Sequence, residues 1–323
     1  MTAVRLRLPW FWLVVLLAAG VLTVVTLWVS AGGVNRGEAL KTGGLAAGSV
    51  VALYALWLND RRRRVDERRI EHDEGRVADE RFAKAVELLG HEADQVRVGA
   101  LHALAGLARS QRRYTQIVLD VLCAYLRRPF EIPEKPDDGD GIREQQVRMT
   151  AQRLIADLLP RASDVDPPLY DLDLHGATLE FFNLAERVIG QLRMRHVRVF
   201  ESIALRGTRI MREAWFTGAT LEGRVFSAPE TVFHDRCWFS KFTAKGIVNL
   251  DRARFLGPTK FADAAFLGPL WLRGAEFAGE PDFARAKVRL AEAHLLADGY
   301  TVEPLDGEFG LVRAPARGYV AGQ

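Results

Sequence analysis

Hydrophobic and polar residues alternate along this 323-residue chain with three different rhythms, one after another. The first is a long uncharged run. No residue between Leu8 and Asn35 carries a charge, and Pro9–Ser30 supplies 22 residues, enough at 1.5 Å rise to cross a ~30 Å hydrocarbon core. This predicts a transmembrane helix over about 9–30, with Trp10 and Trp12 at one headgroup level and Trp28 at the other. A secretory signal peptide is the alternative. Arg5, Arg7 and the small residues Ser30–Gly33 favour it, the length of the apolar run opposes it, and cleavage of the segment stays open. A second apolar run, Thr42–Leu58, predicts a helix returning through the bilayer, with Gly44 and Gly48 at the spacing that lets membrane helices approach closely. Residues 1–58 therefore read as a transmembrane hairpin.

Arg61, Arg62, Arg63, Arg64, Arg68 and Arg69 follow the second run, which by the positive-inside rule places both termini in the cytoplasm of a two-pass protein of the plasma membrane. Arg61–Arg64 could also contact anionic headgroups, although Asp60, Asp66, Glu67 and Glu71 dilute the charge. The proline-free, highly charged stretch 59–80 predicts a juxtamembrane helix.

The second rhythm is helical. Phe82, Val86 and Leu89 stop at Gly90. Val98, Leu101, Leu104, Leu107 and Ala108 form one face, and Ile117, Val118, Val121, Leu122 and Tyr125 another. DQVRVGALHALAGLAR resembles a helical pair of HEAT or armadillo repeats. A linker loop is predicted over 129–141, where PFEIPEKPDDGDG gathers three prolines and two glycines. A last helix, Arg143–Leu159, carries Val147, Leu154, Ile155, Leu158 and Leu159 and ends at Pro160. Residues 81–160 thus predict a small all-α, HEAT-like domain.

The third rhythm has a period near five. Leu169, Leu174, Leu179, Leu184, Ile189, Met194 and Val199 recur at strict five-residue spacing. Steps of five and six then give Leu205, Ile210, Phe216 and Leu221. After a slip near Pro229 come Phe233 and Phe239, then Leu250, Phe255, Phe261, Phe266, Leu272, Phe277, Phe283 and Val288. Neither 3.6 nor 2 fits this period. Short flat faces stacked in a coil do, each with one bulky inward side chain and a small inward residue two positions earlier, such as Ala177, Ala214, Ala219, Ala253, Ala264, Ala275 and Ala286. Corners are expected at glycine or short polar residues.

GATLEFFNLAE (Gly176–Glu186), GATLEG (Gly218–Gly223) and VNLDRARF (Val248–Phe255) resemble the pentapeptide-repeat family. The resemblance covers residues 169–290 and implies a right-handed quadrilateral β-helix with four units per coil. ERFAKAVELLG and VLCAYLRRPFE, ahead of it, look like the cytoplasmic region of membrane-anchored actinobacterial proteins of that family. Six-residue steps and Arg193, Arg195 and Arg198 leave the register between 187 and 245 open. The helical domain is expected to cover one end of the rod and Leu290–Asp298 the other, so that 291–323 is a cap followed by a mobile tail beyond about Pro304.

Composition adds exclusions. Hydrophobic residues make up 49% and there are two cysteines, Cys123 and Cys237, which rules out a disordered chain and a disulfide-stapled one. No nucleophile elbow, P-loop, dinucleotide fingerprint or H-E-x-x-H occurs, and the seven histidines are scattered. No catalytic, cofactor or metal residues are therefore assigned. Cys237, two residues before Phe239, reads as packing. Some pentapeptide-repeat proteins imitate DNA and occupy gyrase, which needs an acidic rod. Residues 169–290 instead hold 18 Lys+Arg against 14 Asp+Glu, a net of 18 − 14 = +4. Nucleic-acid binding has little support, because the bases are dispersed and the aromatics read as interior. The cluster Arg193, Arg195, Arg198, Arg206, Arg209 and Arg212 is the one patch that stands out. The reading that fits best is a non-enzymatic membrane-tethered scaffold binding an unidentified protein through the β-helix, with a membrane signalling or stress-response component as the alternative.

Overall fold

The computed structural model describes Gly20 and residues 75–133 and 139–314. The two expected spans over 9–30 (Gly20 apart) and 42–58, and Arg61–Arg64, lie outside the described residues. Among the described residues no helix is long and apolar enough to cross a membrane. Of the charged helix expected over 59–80, residues 75–80 are described, and they run into a helix that continues to 88.

A small helical domain comes first: α1 (75–88), α2 (Asp94–Ser110), α3 (Thr115–Arg127) and α4 (Gly139–Leu158). Its core is Ala85, Leu89, Leu101, Leu104, Val118, Leu122, Leu126, Leu154 and Ile155. Two of the residues expected inside point out: Val86 is 38% exposed and Ile117 47%, while Ala85 and Leu119 take the inward positions. The last helix starts at Gly139, before the expected Arg143, with Asp140 in its first turn where the helix dipole favours an acid.

A β-solenoid of about five turns follows, over residues 172–288. The first coil is β1 (Leu172–Asp173), β2 (Thr178–Asn183) and β3 (Val188–Ile189), and the second is β4 (Leu192–Arg193), β5 (Arg198–Ala204) and β6 (Arg209–Ile210). The third is β7 (Ala214–Trp215), β8 (Thr220–Leu221), β9 (Val225–Ser227) and β10 (Val232–Phe233). The fourth is β11 (Cys237–Trp238), β12 (Thr243–Ala244), β13 (Ile247–Asn249) and β14 (Arg254–Phe255), and the fifth β15 (Thr259–Lys260), β16 (Ala265–Phe266), β17 (Leu270–Trp271) and β18 (Glu276–Phe277). Strands stack in parallel, so that one face reads β1-β4-β7-β11-β15 and another β3-β6-β10-β14-β18. The remaining two faces share a sheet because β2 and β5 run round the corner between them.

Register explains the mixed period. Leu172 pairs with Leu192, a 20-residue coil of four fives, whereas Leu192↔Ala214, Ala214↔Cys237 and Cys237↔Thr259 are 22, 23 and 22 residues apart. The two corners reached by five-residue steps are closed by a turn whose third residue has positive φ, as in Leu250–Ala253 with Arg252 at φ 56. The other two corners take the extra residue, and there backbone approaches backbone. A Cβ on Gly246 would lie 2.3 Å from the Arg224 carbonyl oxygen, and one on Gly268 2.5 Å from that of Gly246. Gly246→Ala should therefore cost about 1–3 kcal/mol by forcing two coils apart, read as a lower midpoint in urea. An unchanged midpoint would show that the coils have slack there.

The expectation of glycine or short polar residues at corners holds only in part. Gly176, Gly207, Gly218 and Gly274 have positive φ, but so do Glu186, His196, Glu230, Lys241, Arg252 and Arg285. Stacking over-determines the turn, and long side chains are admitted because they point into solvent. Lys241→Gly, at φ 57, should accordingly stabilise the chain by about 0.5–1 kcal/mol, since glycine occupies that region without the steric cost borne by lysine. The check is a thermal melt, and a lowered melting point would refute it.

Inside, Phe216, Phe239, Phe261 and Phe283 stack at 4.6, 5.2 and 4.6 Å between centroids. Phe233, Phe255 and Phe277 form a second ladder at 4.8 Å per step. Each such ring contributes about 1.5–3 kcal/mol by burial. The slip near Pro229 has a physical cause. Phe226 and Phe242 hold the inward position normally given to a small residue, and Ala228 and Ala244 hold the bulky one. The two rings fill the space together, 5.6 Å apart. Leu169, first in the five-residue series, is 44% exposed and precedes the first coil.

Both ends of the solenoid are covered. At the first coil the Arg148 guanidinium, 2% exposed, donates to the carbonyls of Tyr125, Leu126 and Arg128 in the helical domain and to that of Thr178 in β2. The Gln152 amide accepts from Glu180 N–H (3.2 Å), and Gln116 bonds both Asp171 N–H and its carbonyl. At the far end, Leu295 bridges Trp271, and Tyr300 packs on Phe277 and Phe283. His294 Nδ1 accepts from Leu270 N–H, with Nε2 2.7 Å from the Arg289 carbonyl. Residues 305–314, part of the stretch expected as a mobile tail, are a correction: β20 (Thr301–Pro304) and β21 (Phe309–Arg313) form an antiparallel hairpin, and β21 pairs with β19 (Lys287–Arg289), while 315–323 lie outside the described residues. Pairing satisfies the edge that the last coil would otherwise leave open.

Candidate interaction surface

Because the interior of the solenoid is filled, what it offers to another molecule is its outward side chains. Many outward charges are matched between neighbouring coils. Arg273–Asp251 (2.6 Å), Arg285–Asp263 (2.5 Å), Arg254–Glu276 (3.0 Å), Arg252–Glu230 (3.8 Å) and Lys245–Glu222 are such pairs. The Arg285 hydrogen bond holds the Asp263 carboxyl below the usual carboxylate range. A groove of about 420 Å³ lined by Arg206, Glu230, Asn249, Asp251, Arg252 and Arg273 is walled by these same pairs and holds no nucleophile. Exposed pairs of this kind contribute ~0–1 kcal/mol each, so they set register more than stability.

The six arginines picked out in the sequence do not form a patch. Arg193, Arg198 and Arg209 lie on three different faces of the second coil, so the cluster becomes a belt round the rod. Arg212 is taken up by Asp171 (2.5 Å), and Arg198 lies over Phe200 (4.8 Å).

The aromatic reading also needs correction, because not every aromatic is interior. On the β1-β4-β7-β11-β15 face the outward column reads Asp173, Arg193, Trp215, Trp238, Lys260, and one bridge further Asp282. The two indoles meet edge to face at 4.4 Å. The Arg195 guanidinium lies 3.8 Å from the Trp215 ring centre and Lys260 Nζ 5.1 Å from that of Trp238. Asp173 is paired with Arg127 (2.8 Å) and Glu213 with Arg236 (3.5 Å), whereas no ion pair reaches Arg193, Arg195 or Lys260 among the described residues. Four of the six buried side-chain polar atoms without a partner among the described residues are here: Arg195 Nε, Trp215 Nε1, Thr217 Oγ1 and Trp238 Nε1. The five-residue period concealed this column, because stacking brings 193, 215, 238 and 260 together only once the 22- and 23-residue coil lengths are known.

Two histidines scattered in sequence, His175 and His196, come within 5.6 Å on adjacent coils, but no group of three metal-ligating residues exists among the described residues. His102 is exposed. Cys237 is fully buried in line with Ala214 and Thr259, and Cys123 is buried in α3. Burial pushes the Cys123 thiol up to about 12 and raises that of Cys237 well above its ordinary value. Neither should react with a disulfide reagent at pH 8 until the chain unfolds. Because the folded thiols stay protonated while free ones ionise above about pH 8.5, stability should fall as pH rises past that value. Rapid native-state labelling would contradict both statements.

No curated protein and no solved structure matches this chain. A family model does match: residues 230–287, which carry the fourth coil, the fifth and the turn beyond, are similar to the family described as pentapeptide repeats, in nine copies.

Proposed function

We propose that this protein is a non-enzymatic scaffold held at the cytoplasmic face of the plasma membrane by two N-terminal helices, its solenoid offering an outer face to a partner protein. The observation that carries the reading is the division within the rod. Its interior positions are taken by Phe and Leu, and its outside is a continuous ladder surface on which Trp215 and Trp238 stand between Arg193, Arg195 and Lys260, cations without an ion pair among the described residues. Solenoids of this kind are commonly protein-interaction modules. The uncharged run Leu8–Asn35 and the bases at Arg61–Arg64 support the tether and its orientation. A net +4 over 169–290 does not suit imitation of DNA.

The test compares the full chain with one lacking residues 1–58, each carrying a proximity-labelling enzyme at the C-terminus. The full chain should resist carbonate extraction from membranes and label cytoplasmic neighbours, and the shortened chain should be released. Extraction of the full chain would overturn the tether. Labelling that is indifferent to substitutions at Trp215 and Trp238 would overturn the role of this face.

A further inference from the structure

We infer that the Arg193–Trp215–Trp238–Lys260 column binds an extended acidic protein segment that lies along the rod with two carboxylates about four residues apart. This rests on the scaffold reading and gives its partner a chemistry.

Charge comes first. The column's cations, with Arg195 beside them, form no ion pair among the described residues. Nearby Asp173, Glu213 and Asp171 are already engaged by Arg127, Arg236 and Arg212, and Asp282, one ladder step beyond Lys260, makes no ion pair with it. On other faces several cations are matched coil to coil. Arg198, Arg206 and Arg209 also lack an ion pair among the described residues, so what singles out this column is the two tryptophans set between its cations. Hydrogen-bond sense comes second. Arg195 Nε and the two indole N–H groups can only donate, and they lack acceptors. An acceptor-only ligand such as a carboxylate, engaging Arg195 and drawing it off the Trp215 ring, fits that imbalance. Spacing comes third. Arg193 and Lys260 are three ladder steps apart, about 14 Å at ~4.8 Å per step, which is the reach of about four residues of extended chain. The residue midway would rest on the Trp215–Trp238 pair, and buried tryptophan with arginine is the usual composition of an interface hot spot. A nucleic acid fits less well, because the indole faces needed for base stacking are occupied by Arg195, by Lys260 and by each other.

The test uses the full chain in detergent micelles. Binding is read by fluorescence anisotropy for a labelled peptide containing Glu-Thr-Leu-Thr-Glu, for the same peptide with Gln in place of Glu, and for a 12-mer oligothymidylate. The acidic peptide should bind at least ten-fold more tightly than the Gln peptide, and the difference should shrink with salt. Arg193→Ala with Arg195→Ala should weaken it at least ten-fold, and Lys260→Glu should abolish the preference. Arg209→Ala, which removes a charge from another face of the same coil, should have less than a two-fold effect. Equal affinity for the Glu and Gln peptides overturns the proposal. So does an effect of Arg209→Ala as large as that of Arg195→Ala, which would make the attraction non-specific, or oligothymidylate binding more tightly than either peptide. The peptide assay does not depend on membrane attachment, so its failure is distinguishable from failure of the tethered scaffold.

Discussion

Arg148→Ala will destabilise the chain by about 3–5 kcal/mol, the usual effect of removing one member of a buried charged network. The side chain is 2% exposed. It holds four carbonyls, three at the end of α3 and one in β2, with Glu144 at 3.9 Å and the Phe130 ring at 4.8 Å. Without it these carbonyls lose their charged donor at the joint between helical domain and solenoid, the Tyr125 carbonyl keeping the Arg128 N–H as a partner. Burial lowers the affinity of Arg148 for its proton, but guanidinium remains charged at any working pH. Glu144 keeps Arg97 and Tyr125 as partners. The loss therefore falls on the joint, and urea unfolding should turn from one transition into two, with helical and β signals separating. Arg148→Lys should recover only part of the stability, because an ammonium cannot span carbonyls on both elements. A loss below 1 kcal/mol with a single transition would show that the helical cap is held by its apolar contacts alone.

Phe239→Ala will cost about 3–5 kcal/mol and should lower the melting temperature more than any other single truncation on the phenylalanine ladders. Phe239 has four ring neighbours: Phe216 and Phe261 stack on it at 4.6 and 5.2 Å, and Phe226 and Phe242 meet it edge-on at 5.7 and 5.4 Å, closer than the 6.3 Å of the two flanking rings at Phe261. Coils above and below are rigidly paired and cannot collapse into the void, so the cavity term is retained. Phe283→Ala, at the end of the same ladder, should cost less because only Phe261 stacks on it and Tyr300 can shift. Equal losses at the two positions would mean that the coils unfold independently and not as one array.

Several features were legible in the sequence because they depend only on a local repeat. Stacking one coil on the next requires an inward bulky residue at nearly constant spacing, so the series from Leu174 to Val199 and from Phe255 to Val288 reads directly as faces. The helical domain was legible for the same reason, through its 3.6-residue stripes. Reading failed where a local rule was overridden by a neighbour in space. Phe226 and Phe242 break the pattern but compensate each other across coils. Glu230, Lys241 and Arg252 adopt a backbone conformation suited to glycine because the coils on either side fix it. The hairpin β20–β21 has no periodic signal, being decided by the open edge of β19.

The candidate surface was legible only in part. Arg193 and Arg195 stood out as intrusions, yet their neighbours Trp215, Trp238 and Lys260 are 20 to 67 residues away along the chain. Sequence by itself determined the order of parts, the solenoid class and its apolar interior, because each follows from a period that one coil already contains. Tertiary structure alone decided which outward side chains share a face and which charges are matched, because coil lengths of 20, 22 and 23 residues set that alignment, the extra residues being absorbed at corners while the faces stay in register.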